Sequence, residues 1–408
     1  MSEPLLSQLS RGLACTVSES DKSRARMHLL DWLACVAGAR QSDAAGAAAK
    51  LFGSGWERAS YLGNVLEMDD VHRTALLHPG PVVWPAAMSK SDVSLDERLE
   101  AAVRGYEAMI AVGLTLDAHH YAHWHPTATA GVFGSAAASG SLLGIGEDNM
   151  TDALGNAGSV AGGFWHMRHD DVLTKQWHVY HAMRTGIDAA HHANAGVTGP
   201  AALLEGPQGL FAAMIEGAGE LALVQKGWQI NEVSFKPFAA CRHAHPTIDA
   251  ALEAREAGKL VAPFYVETYR DALTFCDRPE PTTELEAKFS LQHAVAVVVD
   301  GRQAKPEDFT EDAIAELADL RAQVTVAEDP EITANYPTHF GARVNGFELK
   351  DTLGDPERPV SQNHIIDKMR TLADWGGLAT AEADRAVELA LHGDDASAMD
   401  AMLLEWLS

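Results

Sequence analysis

The chain has 408 residues, 47% of them hydrophobic, and carries 57 acidic against 31 basic residues, a net charge of −26. That length exceeds what one core sustains, so two domains are expected, and the apolar content excludes general disorder. So negative a chain repels nucleic acid and anionic bilayers, both bound through basic faces that displace counterions, so no nucleic acid and no membrane is expected as a partner.

The first residues, MSEPLLSQLSRGLACTV, lack a basic stretch followed by a long apolar run. No secretory leader is expected, and the chain is placed in the cytoplasm. Cys15, Cys35, Cys241 and Cys276 are far apart in sequence with no CxxC pair, which argues against a disulfide framework and a thiolate zinc site. From the N-terminus to about residue 228 the chain reads as successive helices rich in Ala, Gly and Leu. Ser18 and Asp21 predict a capping box, followed by Met27, Leu30, Leu33 and Ala34 at helical spacing. Small residues recur every fourth position in Ala130, Gly134, Ala138 and in Gly131, Ser135, Ser139, predicting a central helix that neighbours approach closely. The surrounding stretch from Ala128 to Ile145 has too much Gly and Ser for a membrane span.

Beyond Glu232 the pattern becomes α+β. Alternation predicts half-buried strands over 321–326 and 265–273, and Asn345-Gly346 between Ala342 and Leu349 predicts a two-residue hairpin. Gly354-Asp355-Pro356-Glu357-Arg358-Pro359 breaks the sheet, and a helical pattern returns from Ile365 to Leu407. The expected fold is mainly α: an all-helical domain built from both chain ends (1–228 and 362–408) with an inserted α+β lid domain (229–361).

Histidines are concentrated in His119-His120-Tyr121-Ala122-His123-Trp124-His125-Pro126. Most histidines in any protein are packed or solvated, but His125 precedes a proline, which pushes it to an extended conformation at a chain break. Glu67-Met68-Asp69-Asp70-Val71-His72, followed by His78-Pro79-Gly80-Pro81, forms a loop able either to hold general acid and base groups together or simply to cap a turn. Between Trp124 and Arg242 the only basic side chains apart from histidine are Arg168, Lys175, Arg184, Lys226, Lys236 and Arg242. An anion site in that region must draw on these, Lys236 being held between aromatics and a proline; a surface lysine that snorkels is the alternative for each. His119 with His123, or Asp69 and Asp70 with His72, could bind a metal. No HExxH, GxSxG, Walker or GxGxxG motif is present.

The chain resembles the MmgE/PrpD family, which includes 2-methylcitrate dehydratase, cis-aconitate decarboxylase and iminodisuccinate epimerase. The resemblance is carried by Leu30-Asp31-Trp32-Leu33-Ala34-Cys35-Val36-Ala37-Gly38-Ala39, the Asp69 to Pro79 loop, and His125-Pro126-Thr127-Ala128-Thr129-Ala130-Gly131. It continues in Thr174-Lys175-Gln176-Trp177-His178, in Phe235 through Pro246, and in Gly354-Asp355-Pro356 with Pro359-Val360-Ser361. It implies a helical domain with an inserted lid, usually a homodimer, and catalysis without a required metal or organic cofactor. By the same likeness the family's loop aspartates fall on Asp69 and Asp70, its histidines on His78 and His125, and its lysines on Lys175 and Lys236. Where cis-aconitate decarboxylases carry other residues, this chain has Glu67, Val71, Cys241 and His293.

The expected chemistry is removal of a proton beside a carboxylate of a small di- or tricarboxylate, with loss of water, by a cofactor-independent lyase. His78, His125, Lys175, Lys236 and Asp69 would be catalytic, and Asp70, Arg242, Cys241, His293 and Glu67 would contact substrate. Three other outcomes stay open on sequence: an epimerase using the same site, a metal-dependent hydrolase, and a polycarboxylate binder without activity.

Overall fold

A computed structural model describes residues 3–170, 172–221 and 227–408. The molecule is mostly helical with one small sheet, and it divides into two compact units. The first comprises 1–65, 69–233 and 365–408, and the second 66–68 and 234–364.

In the first unit, helix α1 (Glu19–Gly38) begins with the expected capping box: the Ser18 side chain accepts from the Asp21 amide, and the Asp21 carboxylate accepts from the Ser18 amide. Leu30, Leu33 and Ala34 are buried on it. After two shorter helices (Asp43–Leu51 and Gly55–Leu62) and a loop come α2 (Gly80–Ala87), whose residues are all buried, and α3 (Leu95–Gly113), opened by a second capping box from Ser94 and Glu97. Helix α4 (Pro126–Leu143) starts on a proline, where the missing amide costs nothing, and ends at Gly144 with φ +65°. It is buried along almost its whole length, so it has no solvent face and serves as the axis around which the others pack.

The small residues on α4 make that packing possible. A Cβ built on Gly134 would lie 2.7 Å from the Met109 Cβ of α3, and one on Gly186 of α5 (Thr174–Asn194) would lie 2.5 Å from the Ala136 amide nitrogen. Both neighbours therefore meet α4 nearly backbone to backbone. The α4 hydroxyls that this burial removes from water are satisfied inside: Ser135 donates to the Met183 carbonyl, and Thr127 accepts from the His78 amide at 3.0 Å. Helix α6 (Gln362–Trp375) returns the chain to this unit from Ile365 onward.

The second unit holds a four-stranded sheet in the order β2-β1-β3-β4. Strand β1 (Phe264–Thr268) runs parallel to β2 (Val324–Glu328), with Phe264 opposite Val324, and antiparallel to β3 (Ala342–Val344). The hairpin to β4 (Phe347–Leu349) turns at Asn345 and Gly346 with φ +47° and +80°, as its sequence predicted. Asn345 also accepts from the Tyr265 amide at 2.8 Å and donates to the Val261 carbonyl at 2.6 Å, tying the turn to β1.

Two strand expectations are corrected. Residues Arg270–Cys276 are helical, because Ala272 and Cys276, four apart, are the positions that bury, so the strand ends at Thr268. Arg321 closes a short helix, Ala318–Arg321, where its guanidinium donates to the carbonyls of Ile314 and Pro279; the strand begins only at Val324.

Candidate active site

In the first unit, the loop between Asp69 and Gly80 is organised around one carboxylate. Asp70 is buried and accepts from the Gly80 amide at 2.8 Å, the Tyr106 hydroxyl at 2.6 Å and the His28 ring Nδ1 at 2.7 Å. Tyr106 in turn accepts from the Trp84 indole at 3.1 Å. Groups from α1, α2 and α3 thus converge on one side chain. Burial pushes the Asp70 carboxyl up to about 6, against the opposing pull of Tyr106 and Gly80. With its oxygens occupied by protein donors, Asp70 anchors the loop.

Asp69 faces elsewhere. Its Oδ2 lies 2.9 Å from the His78 Nδ1, and the His78 ring also meets the Asp70 carbonyl at 3.2 Å. Asp69 is buried, whereas the His78 side chain is 14% exposed, so His78 is the member of the pair that can reach a ligand. His72 is a folding residue: its Nδ1 accepts from the Ala75 amide and its own amide donates to the Leu77 carbonyl. Its burial lowers the imidazole to about 4.

His125 caps α4 without using its side chain, in the extended conformation that Pro126 imposes (φ −81°, ψ 107°), with its amide donating to the Gly163 carbonyl. The ring is 1% exposed, packs 4.6 Å from the Trp165 ring centroid, and places Nδ1 3.3 Å from the His178 Nδ1. Among the described residues, its Nε2 and the Trp165 indole nitrogen are both buried without a hydrogen-bond partner. Burial holds the imidazole well below its ordinary value, and the charge of Lys175 in the first turn of α5 adds to this. His125 is therefore neutral at working pH, with one ring nitrogen left without a partner among the described residues.

A buried ion pair lies behind this loop. Lys368 of α6 reaches Asp31 of α1 at 2.6 Å. Burial drives the Asp31 carboxyl up to about 7 while Lys368 pulls it down, and the charges of Asp69 and Asp70 act on it as well.

The second unit carries the remaining sequence candidates. Lys236 is fully buried, with its Nζ 3.8 Å from a Glu67 carboxylate oxygen; Glu67 has φ +57°, a left-handed conformation that costs a non-glycine residue on the order of 1 kcal/mol or more. Arg242 pairs with the buried Asp355 and lies over the Phe340 ring at 4.9 Å, so its charge is largely met within the protein. Its Nε and Nη1 have no partner among the described residues. Cys241 is buried, and the cysteines are all free; its thiol hydrogen-bonds with that of Cys276, a contact that their sequence distance did not suggest. His293 meets the Asp308 carbonyl through Nε2 at 2.8 Å and the Arg321 guanidinium through Nδ1 at 3.4 Å. With both nitrogens engaged, it packs as a core histidine.

Of the metal groupings suggested by sequence, His119 and His123 do meet on one helix face, with ring centroids 5.0 Å apart, but gather no third ligand among the described residues. His119 lies 3.4 Å from Glu216, His120 bonds Thr129, and Asp69 and Asp70 turn to different partners. Among the described residues, His339, Asp351 and Glu357 have ligand atoms within 4.8 Å of one another, but they lie in the second unit and are partly exposed. Lys226 lies outside the described residues. His28, Tyr106, Trp165 and His178 were missed as site residues by the sequence reading; the only available signal was that His178 lies one helical turn beyond Lys175.

No helix of the described chain is long and apolar enough to cross a membrane. Two domain signatures match: the MmgE/PrpD N-terminal domain over residues 58–220 and the MmgE/PrpD C-terminal domain over residues 238–393. The chain belongs to the MmgE/PrpD family. Among curated relatives it is similar to cis-aconitate decarboxylase of Aspergillus terreus, with 24% identity over 386 residues, 84% of this chain and 78% of that protein. It is also similar to cis-aconitate decarboxylase of Homo sapiens, with 26% identity over 346 residues, 76% and 70% of the two chains. Those family relatives are lyases.

Proposed function

We propose that this protein is a lyase that removes a proton beside a carboxylate of a small di- or tricarboxylate and expels a β-hydroxyl as water. The observation that carries this reading is His125: a buried, neutral imidazole whose Nε2 has no hydrogen-bond partner among the described residues, in the electrostatic reach of Lys175. A carbon acid next to a carboxylate needs a neutral base that is not hydrated and a fixed cation where the enediolate charge develops. His125 and Lys175 supply these. His78, backed by Asp69, supplies the proton to the departing hydroxyl. The likeness to cis-aconitate decarboxylases supports a polycarboxylate as the substrate class.

The same abstraction followed by reprotonation on the opposite face would make an epimerase, and loss of carbon dioxide would make a decarboxylase. Proton NMR in deuterated water separates them. Citrate, 2-methylcitrate, malate, tartrate, iminodisuccinate and cis-aconitate are incubated with the protein. The expected result is a vinyl product from a hydroxy acid, insensitive to chelator. Deuterium uptake with a new epimer and no alkene would replace the lyase by the epimerase, and neither alkene nor exchange from any of them would defeat the proposal.

A further inference from the structure

The rings of His125 and His178 meet through like atoms, Nδ1 to Nδ1, at 3.3 Å. Two such nitrogens hold one proton between them, one donating and the other accepting, because two N–H groups placed head to head repel. Burial is the first cause lowering both imidazoles, with Lys175, His178 and His78 adding to it at His125 and His181 adding to it at His178. Both rings are neutral, so the position of the shared proton fixes which atom of His125 is a base.

If His178 donates, the His125 proton sits on Nε2, a buried N–H without an acceptor among the described residues. If His125 donates, Nε2 carries a lone pair. Orphaned buried N–H groups are the costlier of the two, so the second arrangement is favoured. It requires His178 to keep its own proton on Nε2. The intrinsic preference of imidazole for that form cancels, since either arrangement has one ring in each form, and the orphaned N–H decides. We propose that His178 is a positioning residue that accepts from the His125 Nδ1–H, so that Nε2 of His125 meets the substrate as a lone pair. The inference rests on the function proposed above. When the substrate C–H bond breaks, its electron pair stays on carbon as the enediolate and the proton goes to Nε2. The resulting imidazolium then donates to His178 through a charge-assisted hydrogen bond.

The test uses full-length protein labelled with 15N-histidine, with the His125 signals assigned as those lost in His125→Asn. The expected wild-type spectrum has a protonated Nδ1 and a lone-pair Nε2 on His125. His178→Leu removes the acceptor and should abolish that preference, lowering kcat about 10–100-fold, the usual scale for losing a group that orients an imidazole, while KM stays nearly constant. His178→Gln keeps an acceptor oxygen and should restore both the spectrum and most of kcat. A wild-type His125 protonated on Nε2, or a leucine variant with unchanged spectrum and kcat, overturns the inference. The spectrum needs no turnover, so absence of reaction with every polycarboxylate would overturn the reaction while leaving the tautomer separately decided.

Discussion

Replacing Lys368 with methionine isolates the ion pair behind the loop, because methionine fills much of the lysine stem and removes only the charge. The Asp31 carboxylate that Lys368 meets at 2.6 Å is then buried without its cation, a change that costs about 3–5 kcal/mol when the remaining group stays charged. Asp31 has a way out: burial already holds its carboxyl at about 7 with the lysine present, and without it the value rises further. The folded pKa lies above the unfolded value of about 3.9, so the folded state holds the extra proton and stability falls as pH rises toward the folded pKa. Between pH 6 and 8, a wild-type group titrating near 7 loses about 1.4 kcal/mol, while a variant group still protonated at pH 8 loses about 2.7 kcal/mol. The penalty of the substitution should therefore grow by about 1.4 kcal/mol from pH 6 to pH 8. Urea unfolding of both proteins at the two pH values measures this, and other titrating groups cancel in the difference. A penalty that is constant or shrinks with pH would refute the reasoning. Combining Lys368→Met with Asp31→Asn should recover much of the loss at pH 8.

His125→Asn should lower kcat about 10²–10⁴-fold with the fold retained, read by turnover on whichever polycarboxylate reacts and by circular dichroism. Lys175→Ala should abolish turnover while leaving the melting curve close to wild type, and full activity would remove Lys175 from the site. Gly186→Ala puts a methyl against the α4 backbone; overpacking of about 1–3 kcal/mol should outweigh the gain of about 1 kcal/mol in helix propensity and lower the melting temperature. Asn345→Ala removes the turn's left-handed preference and its hydrogen bonds to Tyr265 and Val261, so it should cost about 1–2 kcal/mol in urea unfolding without changing activity.

Local signals were legible in the sequence wherever the cause was local. The Ser18–Asp21 box, the Asn345-Gly346 turn and the spacing of small residues on α4 each depend on neighbours within a turn or two, and each appears in the structure. Short alternations were misleading where a distant contact decided the outcome, as at Arg321, whose guanidinium is claimed by carbonyls of Ile314 and Pro279. The site was half legible. His125 could be singled out by the proline after it, but its partner His178 comes from a helix that begins almost fifty residues later, and no spacing rule joins them. His293 stood out as a departure from the family pattern, and only the packing of Asp308 and Arg321 around it shows that both its nitrogens are taken.

Asp69 and Asp70 are consecutive, chemically identical and both buried, yet they belong to different machines. One leans on His78, while the other bolts three helices to a loop. A mutational scan scored only by activity would find both intolerant and would credit both to catalysis. Scored for soluble yield as well, the pair should separate, with substitutions at Asp70 depleting the protein and substitutions at Asp69 sparing it. Neighbouring acidic pairs in related chains call for the same two-channel scoring before either residue is given a chemical role.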